Sequence, residues 1–134
     1  MYLFGFYEVG VDHKNRIVIP SKLRKEITHI LFLLNVDPKE PLFQLYYEIF
    51  PEIIHPYNYI ILFLSKPEIF EANIQWVINQ MKLIYLDKQG RIVLPEKYGD
   101  KVYVLGQEDR IEIWPINEYN RRTNDIKNRI LFKC

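Results

Sequence analysis

Two stretches of the chain repeat one another 75 residues apart. Val11-Asp12-His13-Lys14-Asn15-Arg16-Ile17-Val18-Ile19-Pro20-Ser21-Lys22 lies over Leu86-Asp87-Lys88-Gln89-Gly90-Arg91-Ile92-Val93-Leu94-Pro95-Glu96-Lys97. Asp, Arg, Ile, Val, Pro and Lys are shared, and Val11/Leu86 and Ile19/Leu94 are conservative aliphatic pairs. A repeat asks for one local structure built twice. A chain of 134 residues has material for two small lobes on a common core, not for two independent enzyme-sized domains. The expected division is residues 1–82 and 83–134.

Each copy reads as a strand, a tight turn, a second strand and a helix. In the second copy Leu83-Ile84-Tyr85-Leu86 is β-favouring, Asp87-Lys88-Gln89-Gly90 has turn chemistry, and Arg91-Ile92-Val93-Leu94 is a strand ended by Pro95. Gly90 takes a positive φ without strain, and its counterpart Asn15 is one of the few other residues that tolerates it. The two turns are therefore expected to share a shape, with Asp12, Asn15, Asp87 and Gly90 forming them.

After Pro20, Ser21 to Ile27 reads as a short amphipathic helix; after Pro95 a shorter one is expected, stopped by Gly99-Asp100. Lys101 to Leu105 reads as a strand, Gly106-Gln107-Glu108-Asp109 as a turn, and Arg110 to Trp114 as a return strand with Ile111 and Ile113 on one face and Arg110 and Glu112 on the other. Tyr59 to Leu64 reads as a buried strand equivalent to Arg110–Trp114. Ser65 caps an expected helix carrying Ile69, Ala72, Ile74, Trp76, Val77 and Met81, and a polar helix is expected from about Asn117. The aromatic stretch Phe43 to Phe50 has no assignment from pattern alone.

Composition excludes several classes. Eighteen Lys plus Arg against seventeen Asp plus Glu give a net charge of +1, so any affinity for nucleic acid must rest on local clustering. A single cysteine, Cys134, excludes an internal disulfide and a Cys/His metal cage. The first residues lack a basic n-region, and no apolar run approaches the roughly 20 residues that span a bilayer. A cytoplasmic setting with no membrane partner is expected. His13, His29 and His55 lie at no metal-ligand spacing, Ser21 and Ser65 lack a glycine elbow, no phosphate loop is present, and no glycine precedes a serine to form a self-cleaving site. Catalytic residues, metal, cofactor and small-molecule substrate are all expected to be none.

Clustering is present. Lys14, Arg16, Lys22, Arg24 and Lys25 fall within twelve residues that contain no acid, with Asp12 and Glu26 flanking them. Cations on a turn and an adjoining helix can meet phosphate oxygens, and an Arg can address guanine O6 and N7. The structural alternative is that Asp accepts backbone N–H groups in the turn and pairs with the Arg four residues on.

Tyr7 to Arg16 with Pro20-Ser21-Lys22-Leu23-Arg24, Leu86 to Pro95, and Val104-Leu105-Gly106 through Ile111-Glu112-Ile113-Trp114 resemble the MraZ family of bacterial transcriptional regulators. The resemblance covers roughly residues 4 to 27 and 83 to 120, and departs from the family at Asn15, where a Gly is usual. It implies a β-rich, mixed α/β chain of two tandem AbrB/MraZ-like swapped-hairpin β-barrel repeats with short helices. It also implies a ring-shaped homo-oligomer that binds double-stranded DNA at repeated promoter boxes upstream of the division and cell-wall operon, associated with the nucleoid. On this reading Lys14, Arg16, Lys88 and Arg91 face DNA, with Lys22, Arg24 and Lys25 on phosphate. The alternatives are an AbrB-type or antitoxin-like DNA binder with a protein partner on its Asn120–Lys133 tail, and a protein-interaction module that uses Phe43 to Phe50 as an exposed patch.

Overall fold

The computed structural model describes residues 3–27, 30–64 and 79–132. The eight strands among these residues are β1 (Leu3–Gly10), β2 (Arg16–Val18), β3 (Ile30–Val36), β4 (Tyr59–Leu64), β5 (Lys82–Tyr85), β6 (Arg91–Val93), β7 (Lys101–Glu108) and β8 (Arg110–Pro115). Six of them form one sheet in the order β1-β7-β8-β4-β3-β5, and β2 with β6 forms a separate two-stranded ribbon. The expected closed barrels are not formed, because the sheet stays open with β1 and β5 as its edges.

The strands that flank each repeated turn do not pair with one another. β1 pairs with β7, β5 with β3, and β2 with β6, all antiparallel, so each finds its partner in the opposite half of the chain. The 75-residue repeat is written into the register. Ile17 faces Ile92, and the bond from Leu94 N–H to the Asn15 carbonyl, 2.8 Å, has its equivalent in Ile19 N–H to the Gly90 carbonyl, 2.9 Å. Gly10 opposite Lys101 and Tyr7 opposite Val104 recur as Tyr85 opposite Ile30 and Lys82 opposite Leu33. The pairing of β4 with β8 is likewise centred on equivalent residues, Ile61 opposite Glu112. A pseudo-two-fold axis thus runs through the ribbon and the middle of the sheet, and β4 is the equivalent of β8 as the sequence pattern implies.

Two insertions separate the halves. Pro20 to Ile30 is longer than Pro95 to Lys101, and the difference matches the four residues of α1 (Ser21–Arg24). α1 stops short of the expected Ile27. No helix follows Pro95, where the chain only bends before Gly99 at φ 98°; three residues are too few to close hydrogen-bonded helical turns. The second insertion lies between β3 and β4 and contains α2 (Phe43–Ile49), whereas β7 and β8 are joined through Asp109 alone. The expected Gly106–Asp109 turn is correspondingly tighter. Gly106 lies within β7, where a Cβ would strike the β1 backbone at Leu3 and Phe4, and the reversal falls at Glu108, φ 64°.

The sheet buries both faces. Leu31, Leu33, Ile60, Leu62, Val102, Val104, Ile111 and Ile113 meet Ile17, Ile19, Leu23, Ile92 and Leu94 of the ribbon side. The other face, including Tyr59, Ile61, Phe63, Leu105 and Trp114, is covered by Phe43, Tyr46, Ile54 and Tyr57 and by α3 (Ile116–Phe132), whose Tyr119 packs edge-on against Trp114. Phe43 to Phe50 therefore supplies core. Glu112, expected on a polar face, is 3% exposed. It is satisfied there by Arg110 Nε at 2.9 Å and the Trp114 indole N–H at 2.9 Å. The helix expected from Ser65 lies outside the described residues apart from its end.

Ile17→Ala and Ile92→Ala should each cost about 2–5 kcal/mol, because either opens a cavity at the centre of the ribbon. Urea unfolding measures this; an unchanged midpoint in either variant would show that the ribbon does not anchor the fold.

Candidate nucleic-acid interface

The two repeated turns match bond for bond. Asp12 N–H donates to the Arg16 carbonyl at 2.9 Å and Asn15 N–H to the Asp12 carbonyl at 3.0 Å. The Asp12 carboxylate accepts from the backbone N–H of Lys14 and of Arg16, at 2.9 and 2.8 Å, and from Arg16 Nε at 2.8 Å. In the second copy Asp87 N–H donates to the Arg91 carbonyl at 3.1 Å and Gly90 N–H to the Asp87 carbonyl at 3.0 Å. The Asp87 carboxylate accepts from Gln89 and Arg91 N–H at 2.9 and 2.8 Å and from Arg91 Nε at 2.7 Å. Asn15 has φ 60° and Gly90 φ 76°, the left-handed conformation expected at both.

Both carboxyls are held below the ordinary 3.8. At Asp12, partial desolvation works upward and is outweighed by the backbone N–H of Arg16, its guanidinium and the Lys14 N–H. At Asp87 the Arg91 backbone N–H is the largest influence, partly opposed by desolvation and reinforced by the Arg91 side chain and Gln89 N–H. The Asp-x-x-x-Arg spacing thus builds the turn and fixes the root of each guanidinium by one edge.

The ribbon presents these arginines in a pattern set by strand alternation. Ile17 and Ile92 point into the core, which places Arg16, Val18, Arg91 and Val93 on the outer face. Arg16 stands opposite Val93 and Val18 opposite Arg91, so the two arginines are diagonal neighbours about 7–8 Å apart. Their side chains are 20% and 28% exposed. Among the described residues no protein acceptor takes their terminal Nη groups.

Lys14 and Lys88 are exposed in their turns, one position out of equivalence, since Lys88 falls over His13 and Gln89 over Lys14. Lys22 is exposed on α1, and Lys25, also exposed, follows just beyond it. Arg24 differs. It turns inward onto the second turn, donating from Nη1 to the Gln89 carbonyl at 3.1 Å.

The structure therefore gathers Arg16 and Arg91 on one face, with Lys14 and Lys88 in the turns at its two ends. Sequence reasoning missed Val18 and Val93, 44% and 57% exposed on that same face; strict alternation about Ile17 and Ile92 was the available signal. It also missed an acidic trio, Asp37, Glu40 and Glu96, whose oxygens lie within 4.8 Å of one another; Glu96, more than fifty residues from the other two, gives no sequence signal. Cys134 and His29 lie outside the described residues, and no helix among the described residues is long and apolar enough to cross a membrane.

These features define a β-ribbon protein with two pseudo-equivalent Asp-x-x-x-Arg turns on an open antiparallel sheet. Residues 80–131 match the family described as "MraZ protein, putative antitoxin-like". The chain is 32% identical to the transcriptional regulator MraZ of Mycoplasma mycoides subsp. mycoides SC, covering 94% of this chain and 97% of that protein. It is 28% identical to that of Mesoplasma florum (97% and 91% covered) and 31% identical to that of Clostridium tetani (92% and 90%). The chain belongs to the MraZ family.

Because both folded carboxyl pKa values are depressed, the stability they contribute is present above the unfolded value and is lost as pH falls through the folded one. The amide resonances of Lys14, Arg16, Gln89 and Arg91 should titrate with midpoints below 3.8, the ordinary carboxyl value. Midpoints at or above that pH would show that the carboxylates do not hold the turns.

Proposed function

We propose that the chain is a sequence-specific, double-stranded-DNA-binding transcriptional regulator that acts as a homo-oligomer on repeated promoter boxes of the division and cell-wall operon. It works in a bacterial cytoplasm, on the nucleoid, without catalysis or cofactor. The observation that carries this reading is the outer face of the β2/β6 ribbon. A two-stranded ribbon fits the major groove, and this one holds Arg16 and Arg91 by their Nε edges with Nη groups free of protein acceptors among the described residues. In this role Arg16 and Arg91 contact bases or phosphate, and Lys14, Lys88, Lys22 and Lys25 contact phosphate. Asp12, Asn15, Asp87 and Gly90 set the turns. The names of the relatives, transcriptional regulators matched over most of their length, support the same conclusion.

The exchanged pairing of β1, β2 and β5 with strands of the other half supports tandem swapped-hairpin repeats, with residues 1–82 and 83–134 as the two units. Self-association is supported by the sheet edges. β1 carries exposed Phe4 and Phe6, and β5 carries exposed Leu83 and Tyr85; apolar side chains on a sheet edge are the combination that recruits another chain. The antitoxin-like alternative is disfavoured by α3. Residues of the supposed partner-binding tail are ordered on the body, with Arg121 over the Tyr57 ring, Arg122 over Trp114, and Tyr57 Oη donating to Asp125 at 2.6 Å.

Purified protein titrated against DNA from upstream of its own operon should bind as an oligomer, more tightly than to a shuffled control, and should weaken with added salt. Arg16→Ala should remove about 1–3 kcal/mol of the preference for the upstream DNA if Arg16 reads a base, with circular dichroism on the same sample confirming the fold. Equal binding to both DNAs would overturn the regulator reading.

A further inference from the structure

The two turns have the same backbone but are locked by different side chains. At the first turn the lock is Asn15 itself, whose Nδ2 crosses to the opposite half and donates to the carbonyls of Leu94, 3.1 Å, and Glu96, 2.9 Å. Gly90 has no side chain to do this. The space that a side chain would occupy there is filled by Arg24: a Cβ on Gly90 would collide with the Arg24 Cδ, Cζ and Nη1. Gly90 is consequently buried within an otherwise exposed turn. Arg24 Nη1 donates to the Gln89 carbonyl, and Arg24 Nε is buried without a partner. The guanidinium is thus held against the second turn by its Nη1 bond, with its Nε edge turned inward.

Arg24 sits at the end of α1, the element that the second half lacks. Among the described residues the first turn accordingly has no equivalent arginine above it. A cleft of about 220 Å³ lies there, lined by Val11, Asp12, His13, Asn15, Lys97 and Asp100 among others. The choice of Asn at 15 and Gly at 90 thus matches what each turn has beside it: an open cleft in one case, an arginine in the other.

We propose that Arg24 is a positioning residue, a clamp from the first half that sets the second turn and so places Lys88 and Arg91, while Asn15 does the same work for the first turn from within it. The inference rests on the DNA-binding reading for its functional consequence and on geometry alone for the clamp. Arg24→Ala should speed amide hydrogen exchange at Gln89 and Gly90 by about tenfold or more through local opening, leave Lys14 and Asn15 unchanged, and weaken DNA binding. Arg24→Lys, which keeps the charge and loses the planar fork, should be equally impaired. Gly90→Asn alone should displace the Arg24 side chain and break its bond to the Gln89 carbonyl. The double variant Arg24→Ala with Gly90→Asn should regain both slow exchange and DNA affinity, since an asparagine there faces the Ile19 carbonyl, the equivalent of the Leu94 carbonyl that Asn15 holds. Its recovery with one cation fewer would identify position rather than charge as the cause.

If Arg24→Lys binds DNA like the unmodified protein and the double variant stays as weak as Arg24→Ala, with the salt slope lowered by about 0.9 as for one lost phosphate contact, Arg24 is a phosphate ligand and the clamp is wrong. If the unmodified protein binds no DNA, the regulator reading fails, and the exchange rates still decide the clamp: unchanged exchange in Arg24→Ala overturns it.

Discussion

Everything on the basic face depends on a ribbon of three residue pairs. A two-stranded ribbon that short has no stability of its own in water. β2 and β6 persist because Ile17, Ile19, Ile92 and Leu94 insert into the apolar face of the six-stranded sheet. That sheet in turn joins the two halves three times, through β1 with β7, β5 with β3 and β4 with β8. Each half contributes strands that pair with the other, so the repeated turns are brought together as the core forms. The antiparallel register then puts the turns at opposite ends of the ribbon and both arginines on its outer face.

The opposite side of the sheet is where the pseudo-symmetry is broken. Ile61 and Glu112 face each other near the axis, yet one is an alkyl group and the other a carboxylate. A buried carboxylate is tolerated only with its hydrogen bonds made, and here Arg110 and the Trp114 indole supply them. The same Trp114 stacks on Tyr59, centroids 4.0 Å apart and nearly coplanar, and takes Tyr119 of α3 on its edge. Burial and the nearby Glu112 push the Tyr59 hydroxyl up, which keeps it a neutral donor to the Ile53 carbonyl at 2.5 Å. One half has thus diverged to hold the aromatic layer and the last helix, leaving the ribbon side nearly symmetric.

Much of this was legible because repeats and turn chemistry are local. Asp at the first position, Arg four residues on, and Asn or Gly between them specify the turn, and the positive φ at Asn15 and Gly90 follows from residue type. The short strands at Arg16 and Arg91, the equivalence of Tyr59–Leu64 with Arg110–Trp114, and the final helix were readable for the same reason. What was not legible depends on partners far away in sequence. The burial of Glu112 requires the aromatic layer contributed by residues 43–63, and Phe43 to Phe50 reads as a helix only once there is a sheet face for it to cover. Arg24 looks like one more cation in a basic run until Gly90 is placed beneath it. No periodicity encodes a contact between residues in different halves.

The charge distribution follows the same division of labour. Each turn contains an acid and an arginine that neutralise one another through a fixed hydrogen bond, so the pair adds little net field, and the chain as a whole stands at +1. On the proposed reading this is useful: a pre-oriented guanidinium loses less conformational freedom on binding than a mobile one, while the lysines in the turns and on α1 supply attraction. A subunit with so few phosphate contacts binds weakly and loses affinity steeply with salt. Joining subunits makes the later contacts intramolecular and multiplies affinity by about 10²–10⁴. On the same proposed reading, a near-neutral body with small basic faces favours DNA that presents several correctly spaced boxes over DNA that presents one. Selectivity, on that reading, comes from spacing as well as from sequence.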